Sequence, residues 1–508
     1  MSNAAIGILL VIIVYLIAML AIGFFYSRTN NDSGDFYLGG RRLGPFVTAM
    51  SAEASDMSSW LLMGLPGVAY LSGICDAAWT AVGLGIGTYV NWLVVAKRLR
   101  RYTEKTGSIT LPDFFSDRYR DDSKALLGLS SIFIIIFFVP YTASGFAACG
   151  KLFSTIFNMP YTAAMLLSAV VIVGYTALGG FMAASTTDLI QSIVMSIALV
   201  IVVLFGIQAA GGWDQVMEVA GSLPGYLSMT STYDGASQSA SPYGFITTVS
   251  TLAWGLGYFG MPHILLRFMA TRDENSIALS RRIASVWVVI SMSVAILIGV
   301  VGYSMTRAGA IGVLEGSESE TIVVQIATLL SRHGVLAVIS AGLILSGILA
   351  CTMSTADSQL LAASSSVSEN ILKGIFHVDL SEKMTVLVAR ATVVFIAVIG
   401  VFMASDPNSS VFAIVSFAWA GFGAVFGPVV LAALFWKRSN RNGAVAGMIG
   451  GGIMVFVWKY CVRPLGGAWN IYELLPAFLT GLALLVAVSL ATKEPSEEIM
   501  REFDEVRG

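Results

Sequence analysis

The sequence predicts an all-α polytopic membrane protein built on an inverted repeat. Three observations carry this. Of 508 residues, 56 % are hydrophobic and only 12 % charged, about half the ~25 % typical of soluble domains. Thirteen stretches are apolar enough for membrane helices, each of which takes ~20 residues. Two of the thirteen, the second and the seventh, are interrupted by polar residues, glycine and proline. This composition excludes a soluble multidomain enzyme and a disordered chain. Lys+Arg 29 against Asp+Glu 31 leaves a net charge of -2, so no basic footprint for nucleic acid is present. The four cysteines and three histidines show no metal-ligand or catalytic spacing, and no enzyme is expected.

The stretches are 5–26, 45–72, 77–96, 125–149, 161–178, 187–210, 244–269, 283–305, 335–370, 384–404, 410–436, 442–460 and 474–492. The first is too long for a removed signal peptide and lacks its basic start and cleavage site. The stretch 335–370 exceeds one bilayer crossing, so its ends project or tilt. Lysine and arginine set the orientation. With the N-terminus outside, cytoplasmic segments hold 24 of the 29 basic residues and outer segments 5, which predicts N-out, C-in. The segment 211–243 carries no lysine or arginine and reads as an external loop. The tail 493–508 reads as a short solvated cytoplasmic end.

The second stretch runs from Pro45 through Glu53-Ala-Ser-Asp56-Met-Ser58-Ser-Trp60 to Gly64-Leu-Pro66-Gly67, and the seventh contains Trp254-Gly-Leu-Gly-Tyr258-Phe-Gly-Met-Pro262-His263. Proline removes a backbone donor and frees carbonyls. Freed backbone at membrane depth is tolerated only where it lines a cavity or binds something. Broken helices at matching positions of two halves point to a transporter site. Five spans separate them, an odd number, so the second half is upside down relative to the first. The expected organisation is one transporter domain over 1–492: a first repeat at 45–210, a second at 244–436, and peripheral helices at 5–26 and 442–492.

Four carboxylates lie in or at the edge of apolar spans: Glu53, Asp56, Asp188 and Asp357. Each costs ~2.5–3.5 kcal/mol at a helix centre, which calls for a cation or a functional reason. No lysine or arginine is expected deep in a span beside them. Hard cations take carboxylate, hydroxyl and carbonyl oxygens, and these acids have such neighbours. On the ninth span Cys351, Ser354, Thr355 and Ser358 share one helix face, with Asp357 beside Ser354. A hydroxyl stripe also suits close helix packing. Asp188 equally suits a first-turn acid. Glu53 stays unassigned. With no Cys/His cluster, the cation is Na⁺ or H⁺ rather than a transition metal.

Ala54–Gly67 resembles the second helix of the sodium/solute symporter family. Trp254–His263 with Arg267-Phe-Met resembles the seventh helix of its sodium/proline branch, Met353–Leu361 the ninth, and Phe417–Pro428 the eleventh. The likeness runs from about residue 5 to 492. It implies the leucine-transporter-type fold, a five-plus-five inverted repeat with the first helix outside the core. It implies a sodium site made by the carbonyls of Ala54, Met57 and Cys351 and the hydroxyls of Ser354 and Thr355, with Asp56 supporting binding and coupling. A second sodium lower in the ninth helix would use Asp188, Asp357 and Ser358. The implied proline pocket is Ser58, Trp60, Gly64, Tyr141, Trp254, Tyr258 and Pro262. Aromatic faces suit an apolar ring carrying an ammonium group. Met261 stands where relatives carry glutamine, a departure that bears on the solute.

The expected function is sodium-coupled uptake of L-proline or a similar small solute across a bacterial inner membrane, with the lipid bilayer as surroundings and no nucleic-acid or obligate protein partner. A symporter of the same fold for another amino acid, a sugar or a carboxylate competes with this reading. So do a cation channel and a membrane sensor, although neither a charge ring nor a filter motif is present.

Overall fold

The computed structural model describes residues 2–27 and 33–507. Residues 28–32 of the first predicted cytoplasmic segment and Gly508 of the tail lie outside them. α1 (Asn3–Ser27) and the short α2 (Ser33–Leu38) lead to the first broken helix. α3 (Pro45–Ser59) ends at Ser58, whose φ of 33° and ψ of -173° break the helix, and a π-turn (Trp60–Gly64) carries the chain into α4 (Leu65–Ser72). α5 (Ile74–Val90) continues through a second π-turn into α6 (Ala96–Thr106), and α7 (Leu111–Tyr119) follows. A capping box starts α7: Thr110 Oγ1 accepts from the Asp113 N–H, and Asp113 accepts in return from the Thr110 N–H.

α8 (Ala125–Phe157) precedes α9 (Tyr161–Ala209), a single run of 49 residues. The expected spans 161–178 and 187–210 are thus joined through a kink rather than a loop. Gly180, with φ 68° and ψ -177°, makes that turn, a conformation that strongly favours glycine. The segment 211–243 is more ordered than a loop. It holds α10 (Trp213–Ser222) and an antiparallel hairpin of β1 (Ser231–Asp234) with β2 (Ser239–Pro242). These two strands are the exception to the all-α reading among the described residues.

The second broken helix comprises α11 (Phe245–Leu252), a 3₁₀ stretch (Ala253–Gly260) and α12 (Pro262–Ala270). Pro262 opens α12, where its missing N–H costs nothing. α13 (Ile277–Arg307) is followed by a 3₁₀ turn (Gly316–Thr321) and α14 (Ile322–Leu330). α14 is nine residues long and largely buried, too short to cross a membrane. α15 (Val335–Ser365), α16 (Glu382–Met403), α17 (Val411–Phe435), α18 (Arg441–Val457) and α19 (Leu474–Ala491) complete the bundle. Ten helices among the described residues are long and apolar enough to cross a membrane. The stretches 45–72 and 244–269 are helical but broken, and Tyr161–Gly174 is a shorter apolar helix.

α15 lies at the centre, packed on α3, α8 and α9, while α1 rides outside on α9 and α15. The 3₁₀ stretch fits between α5 and α17 because its contact positions lack side chains. A Cβ on Gly255 would stand 2.2 Å from the Gly83 carbonyl oxygen, and one on Gly257 1.9 Å from Trp419 Nε1. α20 (Glu497–Arg507) corrects the expectation of a solvated tail. Its Ile499, Phe503 and Val506 are buried, and Arg118 lies 5.1 Å over the Phe503 ring. Arg120 pairs with Glu502 at 2.5 Å, Lys437 with Asp504 and Lys105 with Glu505.

Candidate functional site

Both helix breaks lie in the interior, and side chains from other helices satisfy the backbone they free. At the first break Ser354 Oγ donates to the Ala54 carbonyl at 2.8 Å, and the Tyr141 hydroxyl donates to the Asp56 carbonyl at 3.2 Å. The Ser58 side chain turns back to accept from the Trp60 N–H at 3.1 Å. At the second break Asn91 Nδ2 donates to the Tyr258 carbonyl at 3.0 Å, and Trp419 Nε1 donates to the Trp254 carbonyl at 2.8 Å. Irregular backbone inside a membrane protein requires such partners.

Four of the five oxygens expected to hold sodium, those of Ala54, Cys351, Ser354 and Thr355, form one connected set. Ser354 Oγ reaches both the Ala54 carbonyl and the Cys351 carbonyl, the latter at 3.2 Å, and Thr355 Oγ1 donates to the Cys351 carbonyl at 3.1 Å. The Met57 carbonyl lies at the break itself and accepts from the Trp60 N–H. Every one of these groups is a neutral, hard oxygen donor, the chemistry suited to an alkali cation. Asp56 faces another way. Its Oδ2 accepts from the Tyr258 hydroxyl at 2.5 Å, so it ties the first broken helix to the second.

Asp56, Met57, Trp60, Leu84, Tyr141, Trp254, Val415 and Trp419 line a cavity of about 10 Å³ beside this set. That is room for about one water. The Trp60 and Trp254 rings close it, 5.7 Å apart. Of the expected pocket residues, Trp60, Tyr141 and Trp254 line the cavity, whereas Ser58, Gly64, Tyr258 and Pro262 do not. Each exception has a physical reason. Ser58 caps the break. Gly64 packs under Phe412, with room for a Cβ only 3.4 Å from that residue's own Cβ. Tyr258 reaches the wall through Asp56 and through an edge contact with Trp419 at 5.1 Å. Pro262 starts α12. Met261 is buried and lines no part of the cavity. Sequence reasoning missed Leu84, Val415 and Trp419. Trp419 lay inside the Phe417–Pro428 motif, and that was the available signal.

The deeper acids have a partner that the sequence reading denied them. Arg267, on the last turn of α12, is 1 % exposed and pairs with Asp188 at 3.1 Å. Its Nη2 also donates to Ser358 Oγ at 2.5 Å, and its Nε to Ser51 Oγ at 3.0 Å. Ser51 Oγ donates to Asp188 Oδ2 at 2.6 Å, and Ser358 Oγ contacts Asp357 Oδ1 at 3.1 Å. Asp188, Asp357 and Ser358 therefore do come together, but around a guanidinium. Asp188 Oδ1 and Asp357 Oδ2 have no hydrogen-bond partner among the described residues. Asp188 stands two turns past the Gly180 kink, not at a helix start. Arg267 was misplaced because α12 is short, so a residue near its end still lies inside the bundle. Glu53, left unassigned, accepts from Thr88 Oγ1 at 3.1 Å and Trp92 Nε1 at 3.0 Å, which joins α3 to α5 and to the π-turn after it.

The sodium:solute symporter family model matches residues 36–451. The chain belongs to that family. The sodium/proline symporter of Haemophilus influenzae is 42 % identical over 497 residues, 97 % of this chain and 96 % of the relative. The sodium/proline symporter of Escherichia coli is 40 % identical over 498 residues, 97 % and 94 % of the two chains. Among solved structures, a Na⁺-coupled sialic acid symporter in a substrate-bound outward-open state aligns with a TM-score of 0.78 at 16 % identity, covering 97 % of this chain and 99 % of its own. A nucleobase-cation-symport-1 family transporter in a closed conformation aligns at 0.58 and 14 %, covering 94 % and 99 %. This family member thus has the leucine-transporter-type fold and is a multi-pass membrane protein, not an enzyme.

Proposed function

We propose that this symporter couples inward sodium movement to uptake of L-proline across a bacterial inner membrane, N-terminus out and C-terminus in. The observation that carries the reading is the joining of three features at one helix break: an all-oxygen cation set, an acid tied to the second broken helix, and an aromatic cavity. Relatives named for sodium and proline, at 40 to 42 % identity over nearly the whole chain, support the solute.

In this reading sodium is held by the carbonyls of Ala54, Met57 and Cys351 and the hydroxyls of Ser354 and Thr355. Its binding draws α3 against α15 and fixes the break. Asp56 passes that ordering to Tyr258 and to the cavity wall. Proline enters between Trp60 and Trp254, and the rings, now about 5.7 Å apart, separate to admit it. The two repeats, 45–210 and 244–436, rock around this point. At about 100 mV one sodium contributes ~2.3 kcal/mol. A tenfold sodium gradient adds ~1.4 kcal/mol. One ion sustains accumulation of roughly a few hundredfold. A second sodium at Asp188, Asp357 and Ser358 would have to share two of its three ligands with Arg267, so we assign one ion per solute.

The test is a split of two affinities. Trp254→Ala should raise the half-saturating proline concentration about tenfold or more and that for sodium by much less, the remainder reflecting the coupling between the two sites. Ser354→Ala should do the reverse. Equal effects of both variants on both ligands would contradict separate sites.

A further inference from the structure

α3, α9 and α13 leave a groove of about 640 Å³ between them. It opens outward, because its lining includes exposed side chains: Phe46 at the start of α3, Ile197 of α9, and Val286 and Ile290 of α13. On a membrane protein such a face meets acyl chains. The groove follows α13 from Arg282 to Val294, about 18 Å of helix. That is close to one leaflet, half of a hydrocarbon core about 30 Å thick.

Two features narrow the occupant. First, the polar groups inside the groove serve one another or their own helix. Trp287 Nε1 donates to Ser196 Oγ at 2.9 Å, Ser196 Oγ donates to the Ser192 carbonyl at 2.7 Å, and Ser291 Oγ donates to the Val288 carbonyl at 3.2 Å. A polar solute would find no free partner along these walls. Second, Arg282 stands at the basic end of the groove, exposed and without an ion pair or hydrogen bond among the described residues. Arg281 beside it lies 5.4 Å over the Tyr89 ring and also has no ion pair among them. The acids just before α13 are already taken. Asp273 faces Arg272 at 3.7 Å, and Glu274 pairs with Arg101 and, at 3.8 Å, with Lys97. No acid lines the groove among the described residues.

An apolar groove one leaflet deep, ending at an unpaired guanidinium, has the chemistry of a phospholipid. Arginine takes two phosphate oxygens at once, and basic sites between membrane helices hold anionic headgroups. A zwitterionic headgroup fits less well, since its ammonium would meet Arg281 and Arg282 with no free acid. A second copy of the chain fits less well too, because it would enclose Arg282 unpaired, which is costly. We propose that this groove binds one anionic phospholipid, with an acyl chain along Ile197, Val286 and Ile290 and the phosphate on Arg282. Met50 of α3 lines the same groove, and Ser51 next to it donates to Asp188. The bound chain therefore braces the inner half of the first broken helix against α9 and α13. The orientation proposed above puts this lipid in the cytoplasmic leaflet, and its binding needs neither sodium nor proline.

Native mass spectrometry of the full chain in detergent tests this, with phosphatidylglycerol or phosphatidylcholine of the same acyl chains added. The parent should retain one phosphatidylglycerol at least about tenfold more tightly than phosphatidylcholine. Arg282→Gln should lose that preference, about a tenfold fall in phosphatidylglycerol affinity, and Arg282→Lys should keep most of it. Val286→Trp fills the groove without touching the charge and should weaken retention of both lipids. Ile290→Trp makes the same test if Val286→Trp fails to fold. Equal retention of the two lipids by the parent would overturn the proposal. So would parental phosphatidylglycerol retention in Arg282→Gln or in the folded tryptophan variant, or a lipid-free dimer in place of a lipid-bound monomer. Retention is read without transport, a gradient or a defined membrane side. Its failure is therefore distinguishable from failure of sodium-coupled proline uptake or of the proposed orientation.

Discussion

Asp56 joins two functions at one side chain. Its backbone carbonyl accepts from Tyr141, and its carboxylate accepts from Tyr258 on the other broken helix. A hydrogen bond to a charged group contributes ~1.5–3 kcal/mol, enough to bias which arrangement of the two helices prevails. Asp56→Ala should therefore abolish sodium-driven uptake even though none of the sodium-binding oxygens proposed here belongs to its side chain. Uptake at the parental rate with the same sodium dependence would remove Asp56 from coupling. The residue types at this site were readable in the sequence, because acids and hydroxyls at membrane depth demand a reason. Their orientation was not. Nothing in the spacing distinguishes an acid that holds an ion from one that ties two helices, nor shows that Ser58, expected as a pocket donor, also accepts from the Trp60 N–H at the break.

At the scale of elements, the two broken helices were legible because proline, glycine and polar residues interrupt otherwise apolar runs. The connections were harder. Gly180 turns α9 without a loop, and α14 is too short to register as a span. The 3₁₀ stretch between α11 and α12 depends on close approach. A Cβ at Gly257 would overlap Trp419 Nε1, whose proton goes to the Trp254 carbonyl. Gly257→Ala must displace Trp419 or the stretch itself. Overpacking of this kind costs ~1–3 kcal/mol, so the variant should melt several degrees lower in detergent and lose solute affinity, as read by thermal denaturation and by uptake kinetics. Parental melting would mean that the 3₁₀ stretch and α17 are less closely packed than described.

For the whole molecule, the low charged fraction first identified a membrane protein, and the placement of charges then pointed to its site. Arg267 shows where that reasoning fell short. Counted by position it belonged to a cytoplasmic segment, yet in three dimensions it stands among Asp188, Ser358 and Ser51. A guanidinium already serving two of the three ligands of a second sodium site favours one ion per cycle. Asp357→Asn should consequently leave the Hill slope for sodium near one, and a fall from about two to one would restore the second ion.

The central claim is sodium-coupled proline uptake, and labelled-proline uptake by the purified protein in proteoliposomes tests it most directly. With an inward sodium gradient, proline should accumulate above its external concentration and be displaced by unlabelled proline. The same vesicles with equal sodium on both sides and no membrane potential should only equilibrate. Accumulation independent of the sodium gradient, or a gradient-driven uptake that ignores proline and follows another solute, would contradict the account.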